Sequence, residues 1–282
     1  MTTGDVRIDA LLPPEMARRA EYLGVRKSEA PLLATFTLAV LAGAFISLGA
    51  VFSTTVAAGA SGVVPYGIVR LLAGLVFTVG LVLVIVGGAE LFTGNNLIVM
   101  AWAGRKVSSR SLLRNWTIVY AGNFVGAIAT ALLVFISRQY TFGGGSVGTT
   151  ALATAAAKVD YGFAQAVALG VLCNALVCLA VWLTFSARST IDRIAAIILP
   201  IAAFVAAGFE HSIANMYFIP IGLLIKVLDP AFTAGSGVDV AGLTWQSFLL
   251  ANLLPVTLGN IIGGAVLVAA VYWFVFLHRA DP

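Results

Sequence analysis

Two related stretches interrupt the apolar sequence of this chain and decide its fold: GAELFTGNN at residues 88–96 and GFEHSIAN at residues 208–215. In each, a glutamate follows the first glycine by two positions and an asparagine follows it by seven. Glycine weakens a helix, and ionisable groups are costly in apolar surroundings. The spacing therefore predicts two broken helices of the same design.

The rest of the chain has the composition of a membrane protein. Of its 282 residues, 60% are hydrophobic and 10% are charged, and the mean hydropathy is +1.02. Soluble proteins have about 45–50% apolar and about 25% charged residues. This composition excludes a soluble enzyme, a disordered regulator and a nucleic-acid-binding protein. Cys173 and Cys178 lie in one apolar run and form neither a disulfide framework nor a zinc site.

Six stretches are long enough to cross a bilayer, which needs about 20 apolar residues per helix. They are residues 31–55, 69–88 with a continuation over 96–103, 112–137, 162–186, 193–208 with a continuation over 214–228, and 244–277. A short interfacial helix is expected from Pro13 to about Lys27, because prolines suit a first helical turn. We therefore predict an all-α membrane protein with six spans.

The distribution of positive charge predicts the orientation. With the N-terminus inside, twelve Lys and Arg residues fall on the cytoplasmic side and four fall outside: Arg70, Arg138, Lys158 and Lys226. Cytoplasmic loops carry such an excess, so both termini are expected in the cytoplasm. The predicted parts are an N-terminal segment over 1–30, a transporter domain over 31–278 and a short cytoplasmic tail over 279–282.

The two halves of the chain repeat each other. Asn115 precedes the pair Gly122-Asn123 by the same spacing as Asn252 precedes Gly259-Asn260. Residues about 31–138 thus match residues about 160–278, and each copy holds three predicted spans. Since three is odd, the second copy enters the membrane from the opposite side. This 3+3 inverted repeat, with helices 2 and 5 broken, places a substrate site at the midplane.

The polar residues at the two interruptions are the candidate functional residues. A helix break frees backbone groups that hydrocarbon cannot satisfy. We expect Glu90 and Glu210, with Asn95 and Asn215, to accept from freed N–H groups and close each loop; the alternative is direct transport chemistry. We expect His211 to line a pore, because it lies on the interruption itself. Its alternative is a buried neutral imidazole satisfied by a neighbour.

Both stretches resemble the hallmark motifs of the formate/nitrite transporter family. Supporting matches are NW at 115–116, GNFVG at 122–126, CNALVCLAVW at 173–182 and PVTLGNIIGG at 255–264. The resemblance implies an aquaporin-like protomer in a homopentamer with one pore per protomer, in the cell inner membrane. It implies transport of formate, nitrite, hydrosulfide, lactate or acetate, with protons as partners. No enzymatic activity, cofactor, metal or nucleic-acid partner is expected.

The resemblance also implies roles for individual residues. His211 corresponds to the central histidine, and Thr93 faces it. Apolar constrictions are expected from Phe77, Leu81, Leu91 and Phe204, polar contacts from Asn174 and Asn260, and an outer-vestibule charge from Lys158. Other interpretations stay open: Lys158 paired with Asp160 in solvent, packing roles for the phenylalanines, and interhelical bonding for Asn174.

Formate is the favoured substrate, because GFEHSIANMYFIP at residues 208–220 is closer to the formate-type pattern. The run GNN at 94–96 also occurs in nitrite-type branches, so nitrite, hydrosulfide, acetate and lactate remain alternatives. A bare anion faces a desolvation cost of several kcal/mol in a narrow apolar passage. We therefore predict that formate gains a proton from or through His211 and crosses as the neutral acid. In the alternative, a neutral His211 only donates a hydrogen bond.

Three other classes are less consistent with the sequence. A water or glycerol pore would need paired Asn-Pro-Ala breaks and an intramembrane arginine, and we expect no arginine in the membrane. An intramembrane enzyme would need a catalytic motif such as HExxH or GxSxG, and the sequence has none. A scaffold protein would not need two matched interruptions.

Overall fold

The computed structural model describes residues 10–278, and every regular element in that range is helical. The elements are α1 Pro13–Glu29, α2 Leu32–Ala57, α3 Tyr66–Gly87, α4 Val99–Ala103, α5 Ser109–Ile136, α6 Ser146–Val159, α7 Phe163–Ser186, α8 Thr190–Ala206, α9 Ser212–Leu228, α10 Pro230–Gly235 and a last helix, Ser247–Phe276. Short 3-10 turns cover Gly94–Ile98 and Gln139–Thr141. The expected tail over 279–282, and two of the counted arginines, Arg7 and Arg279, lie outside the described residues.

Within the described range, five helices are long and apolar enough to cross a membrane: α2, α3, α5, α7 and the last helix. Helix α9 is apolar but shorter. The last helix contains two π-helical segments, Ser247–Leu253 and Ile262–Ala270. Helices α6 and α10 were not predicted from the sequence.

Helix α1 begins at Pro13, as predicted, and it packs onto the rest of the protein. Its buried residues include Met16, Ala17 and Ala20, which join a hydrophobic cluster with Leu97 and Ile98. One face of α1 therefore contacts the segment that follows α3, and its membrane-surface location stays a prediction.

The two halves of the chain pack in the same way. Helix α2 packs on α3 and α5, and α7 packs on α8 and the last helix. At matched positions, Gly126 lies against Val40 O and Gly263 lies against Val171 O, so closely that a Cβ would collide with each oxygen. Contacts of α3 with α8, and of α5 with α9, join the halves around a shared centre.

Candidate functional site: two loops around a buried histidine

Two short loops at the centre of the protein occupy the positions predicted for the interruptions. Helix α3 ends at Gly87, and helical structure resumes at Gly94 after the first loop, residues 88–93. Helix α8 ends at Ala206, and α9 begins at Ser212 after the second loop, residues 207–211. Gly88 and Gly208 have φ of +80° and +78°, a backbone conformation that glycine adopts without steric cost. The glycine in each motif thus turns the chain out of the helix.

One asparagine from a neighbouring helix bonds to backbone groups at each loop. In the first loop, Asn123 Oδ1 accepts from Phe92 N at 2.9 Å, and its Nδ2 donates to Glu90 O at 2.9 Å and Ala39 O at 2.8 Å. An amide can do this because it offers both an acceptor and two donors.

Asn260 serves the second loop in the same way. It accepts from Ser212 N at 2.9 Å and donates to Glu210 O at 2.9 Å and Gly170 O at 2.8 Å. We expected the two glutamate side chains to accept from freed N–H groups, but in the described residues these asparagines fill that role. Ionised carboxylates can only accept hydrogen bonds, whereas each loop needs a donor as well.

Each glutamate instead forms an ion pair with a lysine. Glu90 accepts from Lys27 Nζ at 2.8 and 2.9 Å and from Asn95 Nδ2 at 2.7 Å. Glu210 accepts from Lys158 Nζ at 2.6 Å and from Asn215 Nδ2 at 2.7 Å. The two clusters are therefore built alike, one in each half of the chain.

Neither ion pair was expected from the sequence. Their partners lie 63 and 52 residues apart, so that only the fold brings them together. The backbone of each lysine is also held in the same way: Asn115 Nδ2 donates to Lys27 O at 3.0 Å, and Asn252 Nδ2 donates to Lys158 O at 2.7 Å. Lys158, which we expected as a vestibule charge, is thus paired with Glu210.

The structure brings His211 and Thr93 together across the two loops. His211 Nε2 lies 3.0 Å from Thr93 Oγ1, and both residues are buried. His211 Nδ1 accepts from Ala214 N at 3.0 Å, which leaves the proton of a neutral imidazole on Nε2. Nε2–H then donates to Thr93 Oγ1, and the threonine hydroxyl proton is free to donate to a third group.

Two cavities approach this pair from opposite ends of the molecule. The upper cavity, at the end where α3 begins, has a volume of about 980 Å³, and its lining includes Phe77, Lys158, Phe204 and His211. The lower cavity, where α3 ends, has a volume of about 340 Å³, and its lining includes Lys27, Leu81, Glu90 and Leu91.

The rings of Phe77 and Phe204 meet edge to face at a centroid distance of 5.7 Å, and Phe204 stacks on His211 at 5.8 Å. The four apolar residues predicted at constrictions therefore all line one cavity or the other.

Asn174 and Asn260 line neither cavity, because their side chains bond to the protein itself. Asn174 Nδ2 donates to Asn260 O at 2.7 Å and to Thr93 O at 3.3 Å.

Arg70 is a further residue of the upper cavity that the sequence analysis did not identify. The sequence places it among the loop charges outside the membrane, but it lies in α3 and its guanidinium donates to Val205 O and Ala206 O. Arg70 is thus the fifth residue of a helix that is long and apolar enough to cross a membrane. That no arginine lies within the membrane stays a prediction.

Comparison with known proteins gives the family. The model of the family described as "Formate/nitrite transporter" matches residues 14–274. The chain belongs to the formate/nitrite transporter family. The resemblance of the two motifs to this family is thereby confirmed, and the chain is a membrane protein.

Relatives in the formate/nitrite transporter family are similar over nearly their whole length. The "Formate channel FocA" of Escherichia coli K12 is 45% identical over 98% of both chains, and that of Haemophilus influenzae is 40% identical over 91% of this chain and 92% of its own. A solved structure described as "Pentameric formate channel with formate bound" has 46% identity and a TM-score of 0.82, covering 87% of this chain and 98% of its own. These relatives are channels, not enzymes, which confirms the expectation that this protein is not an enzyme.

Proposed function

We propose that this protein is a channel for formate in the bacterial cell membrane. The observation that carries the proposal is the His211–Thr93 pair, which lies between the two cavities and offers a hydroxyl donor at 3.0 Å from an imidazole. The similarity to proteins named as formate channels supports formate as the solute.

The membrane arrangement is part of the proposal. Helix α3 with the segment Gly94–Ala103, and α8 with α9, each form one broken span, so that six spans make a 3+3 inverted repeat. The protomers assemble as a homopentamer with one pore each, and similarity to the solved pentameric formate channel supports this assembly. Both termini face the cytoplasm, because the excess of positive charge lies on that side. The upper cavity then opens to the outside.

The proposed path runs from one cavity to the other past the His211–Thr93 pair. Phe77 and Phe204 narrow it from the upper side, and Leu81 and Leu91 narrow it from the lower side. Removing water from an anion at this narrow point costs several kcal/mol. Because only the charged form bears this cost, the proton affinity of the anion rises. Formate therefore takes the proton of His211 Nε2 while the Thr93 hydroxyl donates to it. Near neutral pH this proton returns to His211 once formate has passed, so the net movement is that of the anion and carries current. At acidic pH a proton from solution crosses with formate, and the transport becomes electroneutral. Nitrite, hydrosulfide, acetate and lactate are the alternative solutes of the same path.

A swelling assay separates formate conduction from a neutral-solute pore. We expect proteoliposomes holding the purified protein to swell in isosmotic ammonium formate faster than protein-free liposomes. We expect no such gain in glycerol, because the apolar constrictions offer glycerol few hydrogen-bonding partners. Swelling in glycerol without swelling in formate would support the neutral-solute pore and contradict the proposal.

A further inference from the structure

Three charged side chains in the lining of the upper cavity differ in how their charges are balanced. They are Arg70, Lys158 and Glu210. Lys158 and Glu210 form an ion pair at 2.6 Å, with side-chain exposures of 14% and 2%. At any distance large compared with 2.6 Å, a pair of opposite unit charges attracts an anion little. Lys158 therefore contributes little net field to this cavity.

The partners of Arg70 are neutral backbone carbonyls. Its Nη2 donates to Val205 O and its Nε donates to Ala206 O at 3.3 Å, at the last two residues of α8. A helix C-terminus carries a partial charge of roughly −0.5, which offsets only part of the unit charge of a guanidinium. Arg70 thus keeps a net positive charge that faces the cavity.

The geometry around Arg70 leaves room for an anion beside it. Two of the five N–H groups of the guanidinium are used by the α8 carbonyls, and the others remain for a ligand. Arg70 Nη2 lies beside Gly208, 3.5 Å from the position that a Cβ would take on this glycine. This side of the guanidinium therefore borders a residue without a side chain. A carboxylate suits the planar donors of arginine.

The lower cavity repeats this charge pattern. Lys27 and Glu90 form its ion pair, and the arginines Arg19 and Arg193 also line it. Arg19 Nη1 donates to Phe185 O at 3.2 Å, near the end of α7. In each cavity, then, a lysine is neutralised by a glutamate, while an arginine donates to backbone carbonyl oxygen at a helix end.

We infer that Arg70, and not the vestibule residue Lys158, concentrates small carboxylate anions in the upper cavity. The inference rests on the proposed function and adds to it a residue that sets the affinity for formate. Long-range attraction of this kind raises the rate of association and is screened by salt.

The test compares Arg70→Gln with Arg70→Lys in formate uptake by proteoliposomes. Glutamine keeps a donor for the α8 carbonyls but removes the charge, whereas lysine keeps the charge. At about 0.01 M salt, where the Debye length is about 30 Å, we expect Arg70→Gln to lower uptake at subsaturating formate about threefold to tenfold. At about 1 M of an impermeant salt the difference should nearly vanish, and Arg70→Lys should stay near wild type at both salt concentrations.

Arg138→Gln is the matched control, because Arg138 is exposed and lies outside the lining of the upper cavity. It lies at the same end of the molecule, since the next residue, Gln139, donates to Thr55. Uptake by Arg70→Gln that equals wild type at low salt, or a deficit that is the same at both salt concentrations, would overturn the inference. The second result would mean that Arg70 only supports the end of α8. Failure of the wild type itself to take up formate would contradict the proposed function instead.

Discussion

Replacing His211 with phenylalanine should remove proton-coupled formate uptake. Phenylalanine can occupy the position stacked on Phe204, where the imidazole now lies at a centroid distance of 5.8 Å, but it cannot exchange a proton or bond to Thr93. Positioned proton transfer is worth roughly 10²-fold or more in rate. We therefore expect acidification of the liposome lumen by an inward formate gradient at acidic pH to fall about a hundredfold, measured with an entrapped pH dye.

Two companion variants make this result specific. His211→Asn keeps groups that can bond to Thr93 Oγ1 and Ala214 N but cannot titrate, so it should also lose lumen acidification while it keeps part of the formate flux. His278→Phe is the control, because His278 packs on Trp273 at the end of the last helix, outside both cavity linings. Unchanged acidification by His211→Phe or His211→Asn would contradict the proton transfer through His211.

Removing Lys158 should be the most destabilising single change at the site. In Lys158→Ala, the Glu210 carboxylate keeps its amide donors but loses its only ion-pair partner among the described residues. The side chain of Glu210 is only 2% exposed. Breaking a buried ion pair from one side costs about 3–5 kcal/mol, because the remaining charge is uncompensated. We expect a free energy of unfolding lower by that amount, measured by denaturation in detergent.

A double variant and a more exposed ion pair test whether the unpaired charge of Glu210 causes the loss. Lys158→Met with Glu210→Gln removes both charges and should recover most of the lost stability, since a neutral replacement of a buried pair is often tolerated. Lys106→Ala removes a lysine whose side chain is 57% exposed and which pairs with Glu21, whose side chain is 10% exposed against 2% for Glu210, so it should cost less than Lys158→Ala, about 1–2 kcal/mol. A Lys158→Ala variant as stable as Lys106→Ala would contradict the account of this cluster.

The repeated elements of the site could be predicted from the sequence, because they depend on local spacing. The glycine, glutamate and asparagine of each motif indicated the positions of both loops, and the matched Asn123 and Asn260 lie where the repeat requires them. The meeting of Thr93 and His211, 118 residues apart, was expected only through the family resemblance.

The lysine–glutamate pairs and the orientation of Arg70 could not be predicted, because they depend on how distant elements pack. Lys27 reaches Glu90 from α1, and Lys158 reaches Glu210 from the end of α6, a helix that the sequence did not indicate. Arg70 lies close to α8 because α3 and α8 pack together. None of these contacts has a signal in spacing or composition.

Planar-bilayer recording of the purified protein tests the central claim most directly, with formate, nitrite, hydrosulfide and acetate compared from acidic to alkaline pH. The account predicts that formate carries the largest current near neutral pH. It also predicts that this current falls as the pH decreases, because formate that crosses with a proton carries no net charge. No formate current above protein-free bilayers, or equal currents for all four anions at every pH, would contradict it.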